Sequence, residues 1–216
     1  MKIPYDWTFE NSDVAKGFDQ HVREQLPWYD LATGAVAHII RHYLPQYGIM
    51  YDIGASTGNI GRAIAEILQT RNALLIPVEA SEEMSELYFG PGKENLIIDD
   101  ITNCIGEIGS FDVAVFFLTL MFIPVKDRDW LLGQMKERMQ PGGAIIILDK
   151  VTGAGGYLGT VLSRMTLAGK VAAGVGAGEI VAKELSLMGV QRPVSPPEEG
   201  KEWFRFGEFV GWVIEG

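Results

Sequence analysis

Five short, almost wholly apolar runs alternate with helical stretches, and this alternation constrains the fold more than any other feature. The runs are Gly48 to Ile53, Ala73 to Val78, Leu96 to Ile98, Asp112 to Leu118 and Ala144 to Leu148. Strands so uniformly apolar, with helices between them, predict a mostly parallel sheet covered on both faces. From Asp30, Leu31, Ala35, Ile39 and Tyr43 recur every four residues, and Pro45 closes that helix. Asn59 opens a second helix, with Ile60, Ile64, Ile67 and Leu68 on one face. Ser81 to Phe89 forms a third helix, with Ser81 as its N-cap, and Asp127 to Met139 a fourth. Pro141-Gly142-Gly143 reads as a tight turn before the fifth strand. Trp203 to Phe206 and Phe209 to Ile214 flank Gly207 as a closing antiparallel hairpin.

Residues 1–29 mix aromatic and polar side chains without strong periodicity. Residues 152–178 hold eight glycines and read as helical pieces with flexible joints, shaping an acceptor-side insertion over 152–200. With 216 residues and no internal repeat, the simplest organisation is a single domain over 1–216. The net charge of −10 argues against a broad nucleic-acid footprint, leaving room for a small-molecule or nucleotide substrate. No apolar run is long enough for a membrane helix, and MKIPYDWTFENSD lacks the apolar centre of a secretory signal. Cys104 is the only cysteine. Together these predict a cytoplasmic location.

The first strand runs into YDIGASTGN, Tyr51 to Asn59. This is not the dinucleotide loop G-x-G-x-x-G, because Ser56 stands where the middle glycine belongs. Nor is it a phosphate loop, because asparagine follows Gly58 in place of Lys-Ser/Thr. Gly54 and Gly58 permit positive φ and close backbone approach, and small Ser56 preserves much of that clearance. Asp52 at the strand end disfavours phosphate and is placed to accept from loop amides or a ligand ammonium group. Glu79 and Ala80 follow the second strand, where an acid accepts from ribose hydroxyls. Asp99, Asp100 and Ile101 follow the third, where a carboxylate accepts an exocyclic adenine amine. An amino acid end, a ribose and an adenine without phosphate describe S-adenosylmethionine.

In this order and spacing, YDIGASTGN, PVEASEEM, IIDDI, FDVAVFFLTLMFI and MQPGGAIIILDK resemble the motifs of class I S-adenosylmethionine-dependent methyltransferases over Asp30 to Gly216. FDQHV, LPWYDLATGAVAHIIRHYL, LTLMFIP, PGGAIIILDK and WFRFGEFVGWV are more narrowly similar to the carboxy-S-adenosylmethionine synthase branch, which serves tRNA wobble-uridine modification. The resemblance implies an α/β, Rossmann-like class I methyltransferase fold with a seven-stranded sheet and a C-terminal antiparallel hairpin. It also implies bound S-adenosyl-L-methionine, or a carboxylated derivative, and a homodimer. The chain departs from that branch in being shorter between FDQHV and LPWYD and before the hairpin, and in carrying Phe117 at a usual asparagine position. Glu184 falls near the branch's carboxylate-binding arginine, and Lys183 or Arg192 is left to substitute. These departures favour methyl transfer over carboxy-sulfonium synthesis; a sulfonium-binding protein without catalysis is a further alternative.

Methyl transfer from a sulfonium is an in-line displacement, so the protein mainly positions the nucleophile and excludes water. No particular general base is evident. Tyr29, with Trp28, is placed to form a lid over the cofactor within an N-terminal lid segment, 1–29. Phe117 to Met121 should border the cofactor, with Thr119 as a hydrogen-bonding residue. Asp149 and Lys150 leave the fifth strand toward the substrate side. His38 and His42 are four apart on a helix, but with His21 they show no metal-ligand spacing, so no metal site is expected.

Overall fold

The computed structural model describes residues 3–216. Its seven strands are β1 (Ile49–Ile53), β2 (Leu74–Glu79), β3 (Ile97–Ile98), β4 (Phe111–Phe117), β5 (Met139–Lys150), β6 (Lys201–Phe206) and β7 (Phe209–Glu215). They form one sheet in the order β3-β2-β1-β4-β5-β7-β6. The pairs β1–β2, β2–β3, β1–β4 and β4–β5 are parallel, whereas β7 runs antiparallel to both β5 and β6. The chain therefore steps outward from β1 to β3, then returns to β4 on the other side of β1. That reversal opens a crevice beyond the carboxyl ends of β1 and β4, the place where such sheets bind ligands.

The helices are α1 (Ser12–Gln25), α2 (Tyr29–Tyr43), α3 (Asn59–Ala63), α4 (Ala65–Arg71), α5 (Glu82–Glu86), α6 (Ile101–Cys104), α7 (Val125–Arg138), α8 (Gly156–Ala172) and α9 (Ala177–Ser186). Two apolar clusters cover the two sheet faces. On one, Ala32, Val36 and Ile40 of α2 meet Val113 and Val115 of β4 and Ala144, Ile146 and Leu148 of β5. On the other, Leu131 and Met135 of α7 meet Phe116, Ile145 and Ile147. Alternate residues of β4 and β5 thus point to opposite faces and are buried on both, which accounts for their uninterrupted apolar sequence.

Four local expectations are revised. The helix expected from Asn59 breaks at Ile64, whose φ of −107° separates α3 from α4. The third helix is short, although Ser81 Oγ does cap it by accepting from Met84 N at 3.2 Å. Pro141-Gly142-Gly143 is not a turn outside the sheet but an irregularity within β5. The register between β4 and β5 jumps there, Gly142 takes φ +81°, and a Cβ on Gly143 would lie 2.5 Å from the Asp112 carbonyl oxygen. The N-terminal segment, read as aperiodic, contains α1. Its Asn11 side chain accepts from the Asp13 and Val14 amides, and Val14, Ala15, His21, Val22 and Gln25 are buried.

Trp28 is also reassigned. It is 4% exposed and packs on Phe204, Phe206 and Phe209 of the hairpin, with ring centroids 4.8 to 6.4 Å apart. It is a core residue joining α2 to the hairpin rather than a lid. Trp28→Ala should therefore lower unfolding free energy by about 3–5 kcal/mol in urea titrations, the usual cost of a large aromatic cavity. A loss below about 1 kcal/mol would contradict that assignment.

Candidate functional site

A cavity of about 520 Å³ opens at the reversal point between β1 and β4. It is lined by Asp52, Gly54, Ser56, Glu79, Ala80, Asp99, Asp100, Ile101, Phe117, Thr119 and Tyr29. The sequence-derived residues are thus brought to one place, with the exception of Gly58, which stands behind the wall.

The glycine loop spends its own amides internally. The Gly54 and Ala55 amides donate to Val78 O at 2.8 and 3.0 Å, the Ser56 amide to Glu79 Oε2 at 2.7 Å, and the Gly58 amide to Ala55 O at 2.9 Å. A phosphate cradle needs such amides pointing at the ligand. Gly54 has φ +74°, and a Cβ there would strike Thr119 Oγ1 at 2.6 Å. Gly58 has φ +91°, and its Cβ would strike Phe89 O at 2.7 Å. Both glycines are required. Ser56 takes φ +51°, a left-handed conformation secured by the Glu79 bond.

Asp52 was expected to accept from loop amides or from a ligand ammonium group, and the amides of Gly54, Ala55, Ser56 and Gly58 go elsewhere. Its side chain is 1% exposed, and Oδ2 has no hydrogen-bond partner among the described residues. Burial, and secondarily the neighbouring Glu79 carboxylate, raise its pKa from the usual 3.8 to about 7. Glu79 is raised as well, chiefly by burial, while amides of Ser81, Ser56 and Ala80 oppose the shift. Glu79 Oε1 accepts from Ser81 N at 2.9 Å, so this carboxylate clamps the two loops after β1 and β2. Each oxygen keeps a further lone pair for a ligand hydroxyl.

At the third strand end, Asp100 Oδ1 caps α6 through Thr102 N at 2.8 Å, and Asp99 Oδ1 accepts from Asp100 N at 2.7 Å. Their second oxygens accept nothing from the described residues. Ile101 is buried beneath them. Phe117 packs edge-on against Tyr29 with centroids 5.3 Å apart, so Tyr29 walls the cavity from the start of α2. Thr119 Oγ1 donates to Ile53 O at 2.8 Å; it braces the loop from behind.

The opposite end of the cavity was only partly legible. Trp7, His21, Gln25, Lys150, Lys170 and Lys183 line it. Among the described residues, both ring nitrogens of His21, both amide atoms of Gln25 and the Trp7 indole nitrogen lack a hydrogen-bond partner, and His21 Nδ1 lies 3.6 Å from Glu179 Oε1. Burial, then the Lys183 ammonium, lowers the His21 pKa to about 4. Lys170 pairs with Glu184 at 3.0 Å, whereas Lys183 lies over the Trp7 ring with no carboxylate partner among the described residues. Burial, then Lys170, lowers the Lys183 pKa to about 6. Of the two proposed substitutes for the missing arginine, Lys183 is on the cavity wall and Arg192 is not. Phe18, His21, Val22 and Gln25 share one face at helical spacing, starting in FDQHV, but half of that face is polar. His21, Glu24 and Glu179 have ligand atoms within 4.8 Å of one another. Glu24 already accepts from Gln20 at 2.7 Å and two lysines face His21, a field unsuited to a cation. Asp149 does not face substrate. It is buried and accepts from Met121 N and Lys150 N.

A raised folded-state pKa means that Asp52 loses stability as pH climbs from 4 to 7, because ionisation is resisted only in the folded state. Asp52→Asn should accordingly raise the ligand-free melting midpoint at pH 7.5, by about 2–4 °C per kcal/mol relieved. That gain should shrink steadily below pH 7 and approach zero near pH 4 in differential scanning calorimetry. An equal midpoint for both proteins at every pH would contradict the burial of an ionisable Asp52.

No family model matches the chain. It is 26% identical over 224 aligned residues to the carboxy-S-adenosyl-L-methionine synthase of Staphylococcus epidermidis, covering 97% of each chain. Among solved structures, a putative O-methyltransferase from Nostoc punctiforme superposes with a TM-score of 0.55 at 15% identity, covering 95% of this chain and 60% of that one. The magnesium protoporphyrin IX methyltransferase of Synechocystis, solved with bound S-adenosylmethionine, superposes with a TM-score of 0.50 at 12% identity, covering 87% and 79%. No helix of the described residues is long and apolar enough to cross a membrane. The chain has the Rossmann-like fold seen in class I methyltransferases, and by sequence it is similar to carboxy-S-adenosyl-L-methionine synthases along nearly its whole length.

Proposed function

We propose that the chain is an S-adenosylmethionine-dependent transferase that moves a methyl group to a small-molecule or nucleotide acceptor. The observation that carries this reading is Asp52: a buried carboxylate with an unpartnered oxygen, on the wall of a cavity whose neighbouring loop amides are already used. An ammonium group is the partner that such a carboxylate lacks. In this reading Asp52 holds the amino acid end of the donor, and Gly54, Ser56 and Gly58 shape the loop beside it. Glu79 receives the ribose hydroxyls, with Ala80 alongside, and Asp99 or Asp100 receives the adenine amine over Ile101. Phe117, Tyr29 and Thr119 border the donor and keep water from the reacting end. The donor, when bound, supplies an electrophilic methyl group. The protein aligns the acceptor in line with it, and a base is needed only where the acceptor sheds a proton.

The whole chain acts as one donor-binding domain, with the 1–29 segment, Trp28 apart, as a lid and 152–200 on the acceptor side. Helix α8 buries only Lys170 and exposes Tyr157, Leu158, Val161, Met165 and Val171, an apolar surface suited to a second copy in a homodimer. A single, buried cysteine suits a reducing cytoplasm.

A second reading, carboxy-S-adenosylmethionine synthesis, is favoured by one observation. Lys183 presents a buried amine without a carboxylate partner among the described residues at the acceptor end, and an added carboxylate there would favour its protonated form. The relative from Staphylococcus epidermidis carries that activity in its name.

Mass spectrometry of the small molecule released from purified protein separates the two. Intact donor or its demethylated product is expected for methyl transfer, and a carboxylated sulfonium would establish the second reading instead. In titration calorimetry, Glu79→Ala should weaken donor binding at least tenfold, about 1.4 kcal/mol. Unchanged affinity would show that the donor lies elsewhere.

A further inference from the structure

Helix α1 meets the glycine loop through a carboxylate that the proposed donor chemistry does not use. Asp19 Oδ1 accepts from Thr57 Oγ1 at 2.6 Å and from Asn59 Nδ2 at 2.9 Å. Asp19 Oδ2 accepts from Arg62 Nη2 at 3.2 Å. These three partners lie 38 to 43 residues away in sequence and span the loop and the first turn of α3. Arg62 carries the connection onward. It also donates to the carbonyls of Thr57 and Phe89, and its guanidinium lies 3.8 Å above the Phe89 ring centroid. Phe89 O is the atom that forbids a side chain on Gly58.

Apolar contact holds α1 at a few points: Val14 packs with Trp7 and Leu187, Val22 joins the sheet cluster, and Phe18 meets Phe9. Of its five buried residues, Val14, Ala15 and Val22 are small, and His21 and Gln25 present unpartnered polar atoms. Arg23 adds one more bond to the loop, through Asn59 Oδ1 at 3.1 Å. Few apolar contacts and reliance on polar bonds mark an element that opens more readily than the sheet. Yet Phe18, His21, Val22 and Gln25 of this same helix wall the cavity that holds Asp52 and Glu79.

We infer that Asp19 is a positioning residue: it latches α1 to the glycine loop, and release of the latch sets the rate at which donor and product leave the cavity. The inference rests on the donor reading above. Asp19 touches no reacting atom. It acts through Thr57, Asn59 and Arg62, which fix both the loop that cradles the donor and the helix that covers it. Because the three bonds converge on one carboxylate, removing it frees α1 from the loop in a single step, leaving only the Arg23 contact.

The test uses full-length protein and S-adenosylhomocysteine as the probe, with dissociation followed by stopped-flow displacement. Asp19→Ala should accelerate release at least tenfold, and Asp19→Asn, which keeps acceptor capacity for Thr57 but loses the charge facing Arg62, should fall between it and the wild type. Hydrogen exchange on ligand-free protein should show α1 amides opening at least tenfold faster in Asp19→Ala, with β4 and β5 amides unchanged. Thr57→Val removes the shortest of the three bonds and should speed release at least threefold, even if Asp19→Ala fails to fold. Combined with Asp19→Ala, it should add little further. A residue of purely structural importance would lower the melting midpoint without this coupled change in release. Wild-type binding with release within twofold in Asp19→Ala and Thr57→Val overturns the latch alone. No binding of the probe to wild-type protein overturns the donor reading and the latch with it.

Discussion

A buried carboxylate with an oxygen that finds no hydrogen-bond partner among the described residues is the constraint around which the carboxyl ends of this sheet are arranged. Asp52 sits at the end of β1, fully desolvated, next to a second acid. Burying an ionised group unpaired is costly, and folded proteins ordinarily surround it with donors. Here the nearest donors are withheld. Glu79 and the Val78 carbonyl take the amides of residues 54–56, and the positive φ angles of Gly54, Ser56 and Gly58 hold the loop in the shape that lets them do so. Glu79 is thus both a clamp on the loop and a neighbour that keeps Asp52 starved of counter-charge. A ligand carrying a positive group would offset the cost of burying this carboxylate.

That arrangement survives because the sheet behind it is rigid. β4 and β5 are buried on both faces by two separate apolar clusters, and the ends of β1, β2 and β4 cannot shift without disturbing them. The other end of the cavity is built differently. α1, α8 and α9 bury few apolar side chains, and they contribute lysines, a histidine and an amide, several with unmet hydrogen-bonding capacity. On the proposed reading, the rigid end holds the donor in a fixed pose and the more polar end admits the acceptor.

The strand-end part of the cavity was legible in the sequence, and the part walled by α1, α8 and α9 largely was not. Uninterrupted apolar runs identified every parallel strand, and the acids at their ends could be placed because strand ends in such a sheet converge on one crevice. Gly54 and Gly58 were readable as backbone requirements. What sequence could not supply was the destination of the amides, which made Glu79 a clamp and left Asp52 alone. α1 was missed because its buried face mixes Val14 and Val22 with His21 and Gln25, so apolar periodicity alone did not reveal it. Trp28 looked like a lid because the hairpin it packs on lies some 175 residues further along the chain. Pro141-Gly142-Gly143 looked like a turn because local chemistry does not show that Gly216 and Asp112 hold it within the sheet.

The central claim, that Asp52 pairs with the ammonium group of the donor, makes binding a proton-linked event. Titration calorimetry of S-adenosylmethionine into wild-type and Asp52→Asn protein between pH 5.5 and 8 tests it most directly. The ionised form of Asp52 prevails only above about pH 7. Wild-type affinity should therefore fall about tenfold for each pH unit below that point, with proton release on binding. The Asp52→Asn protein should bind more weakly at pH 8 and show little dependence on pH. Parallel pH profiles for the two proteins would contradict the account.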